Sequence, residues 1–231
     1  MKKKPRLLDL FCGAGGSAVG YHRAGFEVVG VDILPQPDYP FEFHQSDALT
    51  FPTGGFDAIH ASPPCQRYSH GTVAGHAHKH PDLVGPTRKR LVSSGLLYVI
   101  ENVPRSPLIN PVVLCGSMFG LTAVDDDGTP LRLQRHRLFE ANFDLVAPRA
   151  CRHDRSVRVA GAYGGARRDK DEAKYIRKGG YVPSVRVMQR LLGIDWMPER
   201  SLFLSIPPAY TEHVGGMLMA AISSNIKKGG G

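Results

Sequence analysis

Residues 6–11, Arg-Leu-Leu-Asp-Leu-Phe, form an apolar run that breaks at the glycine-rich turn Gly13-Ala14-Gly15-Gly16. This junction constrains the fold more than any other stretch of the chain. The run reads as a buried strand; helical spacing follows over residues 17–24, and Val28-Val29-Gly30-Val31 forms a second strand ending at Asp32. Together they make a β-turn-α-β unit. The same alternation continues downstream. A short extended piece near Glu42-Phe43-His44 ends at Asp47, residues 56–61 form another strand, residues 83–94 are helical, and residues 96–100 are an apolar strand terminating at Glu101. Short apolar strands alternating with helices predict an α/β fold: a doubly wound, mostly parallel Rossmann-like sheet with right-handed crossovers. Functional groups are then expected at the carboxyl ends of the strands.

A chain of 231 residues that is 42% hydrophobic can bury one sizeable core with one appended lobe. Cys12, Cys65, Cys115 and Cys151 show no paired spacing, so neither a disulfide framework nor a zinc site is indicated, and a reducing, cytoplasmic setting is expected. The basic start Lys2-Lys3-Lys4-Pro5-Arg6 is followed by an apolar run broken at Asp9, so no secretion signal or membrane span is expected. Net charge is +8, and its distribution is uneven. Between Arg149 and Arg190 there are 12 Lys or Arg against 4 Asp or Glu, while the remainder of the chain balances at 17 of each. This block reads either as a solvated face or as a surface following a polyanion; the interleaved glycines with Tyr163, Tyr175 and Tyr181 suit the second. It begins past a strand at Arg137-Leu138-Phe139 and is read as an inserted lobe. Helices resume after Pro183 and again over residues 215–226.

Gly13-Ala14-Gly15-Gly16-Ser17-Ala18 fits G-x-G-x-x-A after a strand, with Asp32 at the end of the next strand. Glycines let a backbone approach a ligand, and a carboxylate so placed can accept both hydroxyls of a ribose. A nucleoside-bearing ligand is implied, either NAD or S-adenosylmethionine. Asp47 is placed to accept from an adenine amino group or to serve as a turn residue. In Ser62-Pro63-Pro64-Cys65 the prolines hold the cysteine on a defined path past a strand end. Its thiol is either a buried structural group or a nucleophile. Glu101-Asn102-Val103-Pro104 puts a carboxylate at another strand end, where burial would keep it protonated and able to donate to a ring nitrogen. Solvation would leave it an ordinary acid. Arg135 and Arg137, two apart on an expected strand, would point the same way, toward a substrate carbonyl or toward solvent. His70, His76, His78 and His80 share the expected mobile loop 66–81 but lack a cysteine or carboxylate at standard spacing, so no metal is expected there.

Pro-Pro-Cys-Gln-x-aromatic-Ser, Glu-Asn-Val and Arg-x-Arg, after an Asp-x-Phe-x-Gly-x-Gly start, together resemble the DNA (cytosine-5) methyltransferase family. The small, stand-alone phage or bacterial type is the nearest in kind. The resemblance runs in family order from about Leu8 to Ala221. It implies a Rossmann-like methyltransferase sheet with a small inserted basic recognition lobe. Residues 1–140 with 205–231 would be the catalytic domain, and 141–204 the short DNA-recognition lobe and bracing segment. It further implies that Cys65 attacks C6 of a cytosine flipped out of the duplex, Glu101 holds N3, and Arg137, with Arg135 beside it, contacts the base. Asp9, Phe11, Gly13, Gly15, Asp32, Ile33, Asp47, Ala48 and Pro64 would face S-adenosylmethionine, whose product is S-adenosylhomocysteine. Residues 183–196 look like the motif that braces the lobe, and Tyr210-Thr-Glu-His-Val-Gly like the last motif, packing back on the cofactor site. Ser62, Leu133 and Gly216 depart from the family's usual Gly, Gln and Asn.

Methyl transfer to C5 of cytosine in double-stranded DNA is the implied function. The implied protein is a monomer with no metal and no membrane partner, found with the nucleoid, and any restriction endonuclease would be a separate polypeptide. Cytosine-5 methylation of tRNA and a non-catalytic DNA-binding relative are the rival readings. An NAD oxidoreductase leaves Pro-Pro-Cys-Gln unexplained.

Overall fold

The structure, a computed structural model, describes residues 3–69, 76–161 and 181–229. The strands are β1 (Arg6–Leu10), β2 (Glu27–Asp32), β3 (Glu42–Gln45), β4 (Ala58–Ala61), β5 (Leu97–Asn102), β6 (Val112–Leu114), β7 (Thr122–Val124), β8 (Pro130–Leu133), β9 (Arg137–Ala141) and β10 (Arg158–Ala160). The helices are α1 (Gly16–Arg23), α2 (Val84–Ser94), α3 (Val185–Leu192), α4 (Glu199–Leu202) and α5 (Pro208–Gly229). Seven strands form the main sheet in the order β3-β2-β1-β4-β5-β9-β6. The run from β3 to β5 is parallel, whereas β9 is antiparallel to both β5 and β6. Strand order reverses between β1 and β4, which opens a crevice at their carboxyl ends.

Both faces of this sheet are covered, and the strand sequences show why. Alternate side chains of a strand point to opposite faces. Leu8 and Leu10 of β1 join Val31, Ile59, Ile100 and Leu91 of α2 on one side. Leu7 joins Tyr21 of α1 and Tyr210, Val214 and Leu218 of α5 on the other. The α1–α5 contact is close: a Cβ on Gly215 would lie 2.7 Å from Ala24 Cβ, so the first glycine of the altered last motif is required by packing. A Cβ on Gly216 would meet nothing within 4 Å.

A second, three-stranded sheet in the order β10-β8-β7 packs on α3. Leu131, Leu133 and Ala160 meet Val187, Met188, Leu191 and Leu192 there. Ser184 starts α3 by accepting from the Val187 N–H, and Gly193 ends it in the left-handed conformation. The boundary expected at residue 140 runs through this small sheet, because β7 and β8 precede it and β10 follows it. The structure corrects the placing of the paired arginines on one strand. Arg137 opens β9, but Arg135 lies in the connection 134–136 that carries the chain from one sheet to the other.

One ion pair ties α2 to β9. Arg88 donates from Nε and Nη2 to the two carboxylate oxygens of Glu140, both at 2.7 Å, and Glu140 also accepts from the Ile109 N–H. Glu140 is 4% exposed, so removing its partner strands a buried charge. Arg88→Ala is expected to lower the unfolding free energy by about 2–3 kcal/mol, measured by urea denaturation at neutral pH. An unchanged midpoint would contradict this account of the contact.

Candidate functional site

Strand β4 is buried throughout and delivers the chain to Ser62-Pro63-Pro64-Cys65 at the carboxyl edge of the main sheet. The two prolines restrict the path, and the turn that follows closes through hydrogen bonds from the Tyr68 and Ser69 N–H groups to the Cys65 carbonyl, both 3.0 Å. Asn102, 1% exposed at the end of β5, donates from Nδ2 to the Pro63 carbonyl at 2.8 Å and accepts from the Val103 N–H. Glu-Asn-Val and Pro-Pro-Cys are therefore one structural unit. Asn102 is the residue whose part in this unit sequence reading missed.

Glu101 precedes Asn102 and is 5% exposed. Arg137 Nε lies 3.0 Å from Glu101 Oε1, an ion pair held off the ideal hydrogen-bond direction. Burial pushes the Glu101 carboxyl above its ordinary 4.5; Arg137 first, then His60, Arg135 and a hydrogen bond from Ser62 oppose the rise. Burial likewise pushes the Cys65 thiol above 9.0, opposed first by Arg137, reinforced by the Glu101 charge, and opposed again by a backbone hydrogen bond and Arg135. One guanidinium thus acts on both the acid and the thiol. Arg135 is buried, donates from Nη2 to the Phe203 carbonyl at 2.7 Å, and has its own carbonyl held by the Tyr210 hydroxyl at 2.6 Å. The last motif reaches the arginine connection through Tyr210.

Beneath Glu101 lies a polar chain that sequence reading did not foresee. His60, fully buried on β4, contacts Asp9 Oδ1 through Nδ1 at 2.8 Å and Ser62 Oγ through Nε2 at 3.4 Å. Asp9 shares a face of β1 with Leu7 and is also fully buried. Its side chain has no exposed surface, and its Oδ1 is held by His60 from the neighbouring strand.

The glycine loop sits beside this unit at the carboxyl end of β1. Phe11 and Gly13 have positive φ of 58° and 49°, and Gly15, at 87°, caps α1 in the left-handed conformation. A bulky residue at positive φ is uncommon and marks strain of the kind found at functional sites. A Cβ on Gly13 would meet nothing within 4 Å, so the outer face of the loop is open. Asp32 accepts from the Gly13 N–H at 3.1 Å and the Leu34 N–H at 3.0 Å, with one bond on each oxygen, which leaves lone pairs for a diol. Ile33, 67% exposed, stands next to it. Asp47 is exposed and spends Oδ1 on the Leu49 N–H at 2.8 Å. Ala48 is buried in the core, while Pro64 is half-buried beside Cys65. Trp196, from the bracing segment, donates its indole N–H to the Ala14 carbonyl at 3.0 Å and steadies the loop. These residues fit a nucleoside: a carboxylate for the ribose, an exposed aliphatic for the base and a second acid 15 residues on.

Four further features bear on a site of this kind. The stems of the loop over residues 66–81 are tied by Arg67 to the His80 carbonyl and by the Tyr68 hydroxyl to Asp82, while His70 lies outside the described residues. Arg149, Arg152, Arg155, Arg158, Arg186 and Arg190 of the basic block are exposed, and Arg158 stacks over the Tyr181 ring at 4.9 Å. Tyr163 and Tyr175 lie outside the described residues. Among the described residues no helix is long and apolar enough to cross a membrane.

No protein-family model matches the sequence, and no curated protein matches it. Solved structures do. A putative DNA modification methyltransferase encoded within a prophage of E. coli has a TM-score of 0.56 at 17% identity, covering 94% of this chain and 99% of its own. The Entamoeba histolytica methyltransferase EhMeth has a TM-score of 0.56 at 13% identity, covering 96% and 99%. The S. pombe Dnmt2 methyltransferase has a TM-score of 0.56 at 13% identity, covering 95% and 99%. This chain therefore shares its α/β fold, built on a seven-stranded, mostly parallel sheet, with these methyltransferases over nearly its whole length.

Proposed function

We propose that this protein transfers a methyl group from S-adenosylmethionine to C5 of a flipped-out cytosine in double-stranded DNA through a covalent Cys65–C6 adduct. The observation that carries the reading is the convergence of Cys65, past the end of β4, Glu101, at the end of β5, and Arg137, at the start of the antiparallel β9, with Arg137 3.0 Å from Glu101 and acting on the Cys65 thiol. C5 of cytosine is a weak nucleophile until a group adds at C6. The Cys65 thiolate forms the S–C6 bond while the C5=C6 electron pair moves toward C5. Glu101, whose carboxyl burial pushes upward, donates to N3 in its protonated form and receives the charge that addition places on the ring. Arg137 holds Glu101 in place and is available to the base O2. When bound, S-adenosylmethionine supplies the electrophilic methyl group. Loss of the C5 proton to a base and expulsion of Cys65 then restore the double bond. Asp32, Ile33 and Asp47 would hold the cofactor, and the exposed arginines of the basic block would follow phosphates, since C6 is reached only after the base leaves the stack.

Tritiated methyl incorporation into duplex DNA and into tRNA, measured side by side, tests the reading. Acid-stable label in duplex DNA at cytosine C5 is expected. Label in tRNA alone would make the substrate RNA, and label in neither would remove the activity.

A further inference from the structure

Cys115, His136, Cys151 and His153 come from three stretches of chain far apart in sequence, and their ligand atoms all lie within 4.8 Å of one another. Cys115 follows β6 and is fully buried; His136 sits in the β8–β9 connection between Arg135 and Arg137; Cys151 and His153 belong to the segment running from β9 to β10. His153 Nε2 lies 3.4 Å from Cys115 Sγ and 2.9 Å from Cys151 Sγ, and His136 Nε2 lies 3.4 Å from Cys151 Sγ. With Zn–S near ~2.3 Å and Zn–N near ~2.0 Å, tetrahedral geometry puts sulfur and nitrogen ligands about 3.5 Å apart. The two 3.4 Å separations match an edge of such a tetrahedron, the 2.9 Å one is shorter, and the two sulfurs and two ring nitrogens all lie close enough to share one ion. Ser117 Oγ is 3.5 Å from both sulfurs and accepts from the Arg152 N–H at 3.3 Å, a position from which a hydroxyl supports thiolates around a metal.

We propose that these four side chains bind a zinc ion, and that the ion fastens the arginine-bearing β8–β9 connection to the segment entering β10. A tetrahedral S2N2 set selects zinc over hard cations, and two thiolates with two neutral imidazoles balance its charge. Binding replaces two thiol protons, which leave to solvent, with two Zn–S bonds. His136 is flanked by Arg135 and Arg137, so the metal would fix the peptide that aims both guanidiniums. The Tyr210 hydroxyl grips the same peptide from the opposite element at the Arg135 carbonyl. The proposal stands independently of the methyl transfer proposed above, because metal content is read without turnover.

The test uses the untagged full chain, purified under reducing conditions, dialysed against zinc and then against metal-free buffer, with zinc measured by mass spectrometry. About 1 zinc per chain is expected, falling below about 0.1 in Cys151→Ser/His153→Ala and unchanged in Cys65→Ser, which controls for adventitious thiol binding. Should the double variant fail to fold by circular dichroism, cobalt(II) titration of the wild-type chain decides alone. Strong visible bands of tetrahedral cobalt with a thiolate charge-transfer band would support the site. Weak octahedral bands, wild-type zinc below about 0.1 per chain, or a Cys115–Cys151 disulfide in the reduced preparation would overturn it.

Discussion

Cys65→Ala is expected to abolish methyl transfer, by at least about 10⁴-fold in kcat, while binding of S-adenosylmethionine measured by calorimetry stays within about twofold. The separation follows from position. Cys65 ends a loop clamped to β5 by Asn102, whereas the nucleoside cradle is built on β1 and β2. The thiol of Cys12 cannot take over. Cys12, the cysteine nearest the cradle in sequence, is buried, and burial with the charges of Asp9 and Asp32 holds its thiol far above the ordinary range. A duplex carrying 5-fluorocytosine adds a second readout, since fluorine cannot leave C5 as a cation and the adduct cannot collapse. Wild type should form a denaturant-stable complex with it and the variant none. Turnover in the variant, or a wild-type enzyme that forms no such complex, would exclude the covalent route.

Arg137→Ala should have the next largest effect, lowering kcat by about 10²–10³-fold. Its cation favours the ionised forms of both Glu101 and Cys65, so its removal moves both pKa values further upward. The rate of Cys65 alkylation by iodoacetamide reports this directly. Its pH midpoint should move to higher pH than in the wild type, where burial already pushes the thiol upward. Stability gives an independent reading of Glu101. A carboxyl whose folded pKa lies above 4.5 contributes fully below that pH and loses its contribution as pH rises through the folded value. The variant widens that gap. Its melting temperature should therefore fall furthest behind wild type at neutral pH, and the deficit should shrink as pH is lowered toward 4.5. A deficit independent of pH, with an unmoved alkylation midpoint, would mean that Arg137 acts on neither group.

Much of this site is legible along the chain because its parts are local. The β1–loop–α1–β2 unit, Asp32 at the end of β2, Cys65 past the end of β4 and Glu101 within the end of β5 follow from short apolar runs that stop at glycine, proline or acid. Parallel strands then bring those stops to one edge without further information. Helix α3 was equally plain, with Ser184 and Gly193 marking its ends. The short strands β6, β7, β8 and β10 were not, since three or four residues give too little alternation to register as strands.

Other features exist only through long-range contacts. Asp9 fits a cofactor motif by spacing, and only the sheet brings it His60, 51 residues away, in the buried core. Arg135 and Arg137 look like strand neighbours, but the chain crosses between two sheets at 134–136 and sends one guanidinium to Phe203 and the other to Glu101. Cys115, His136, Cys151 and His153 have no spacing that unites them. They meet because β9 inserts antiparallel between β5 and β6, which carries the start of β9 back to the end of β6 beside Cys115. The sequence by itself determined the sheet, the crevice and the order of the strand-end groups, because each is encoded within a few residues. Only the tertiary structure decided which faces those groups occupy and which distant side chains share their charge, because burial and Coulomb interaction depend on separation in space rather than along the chain.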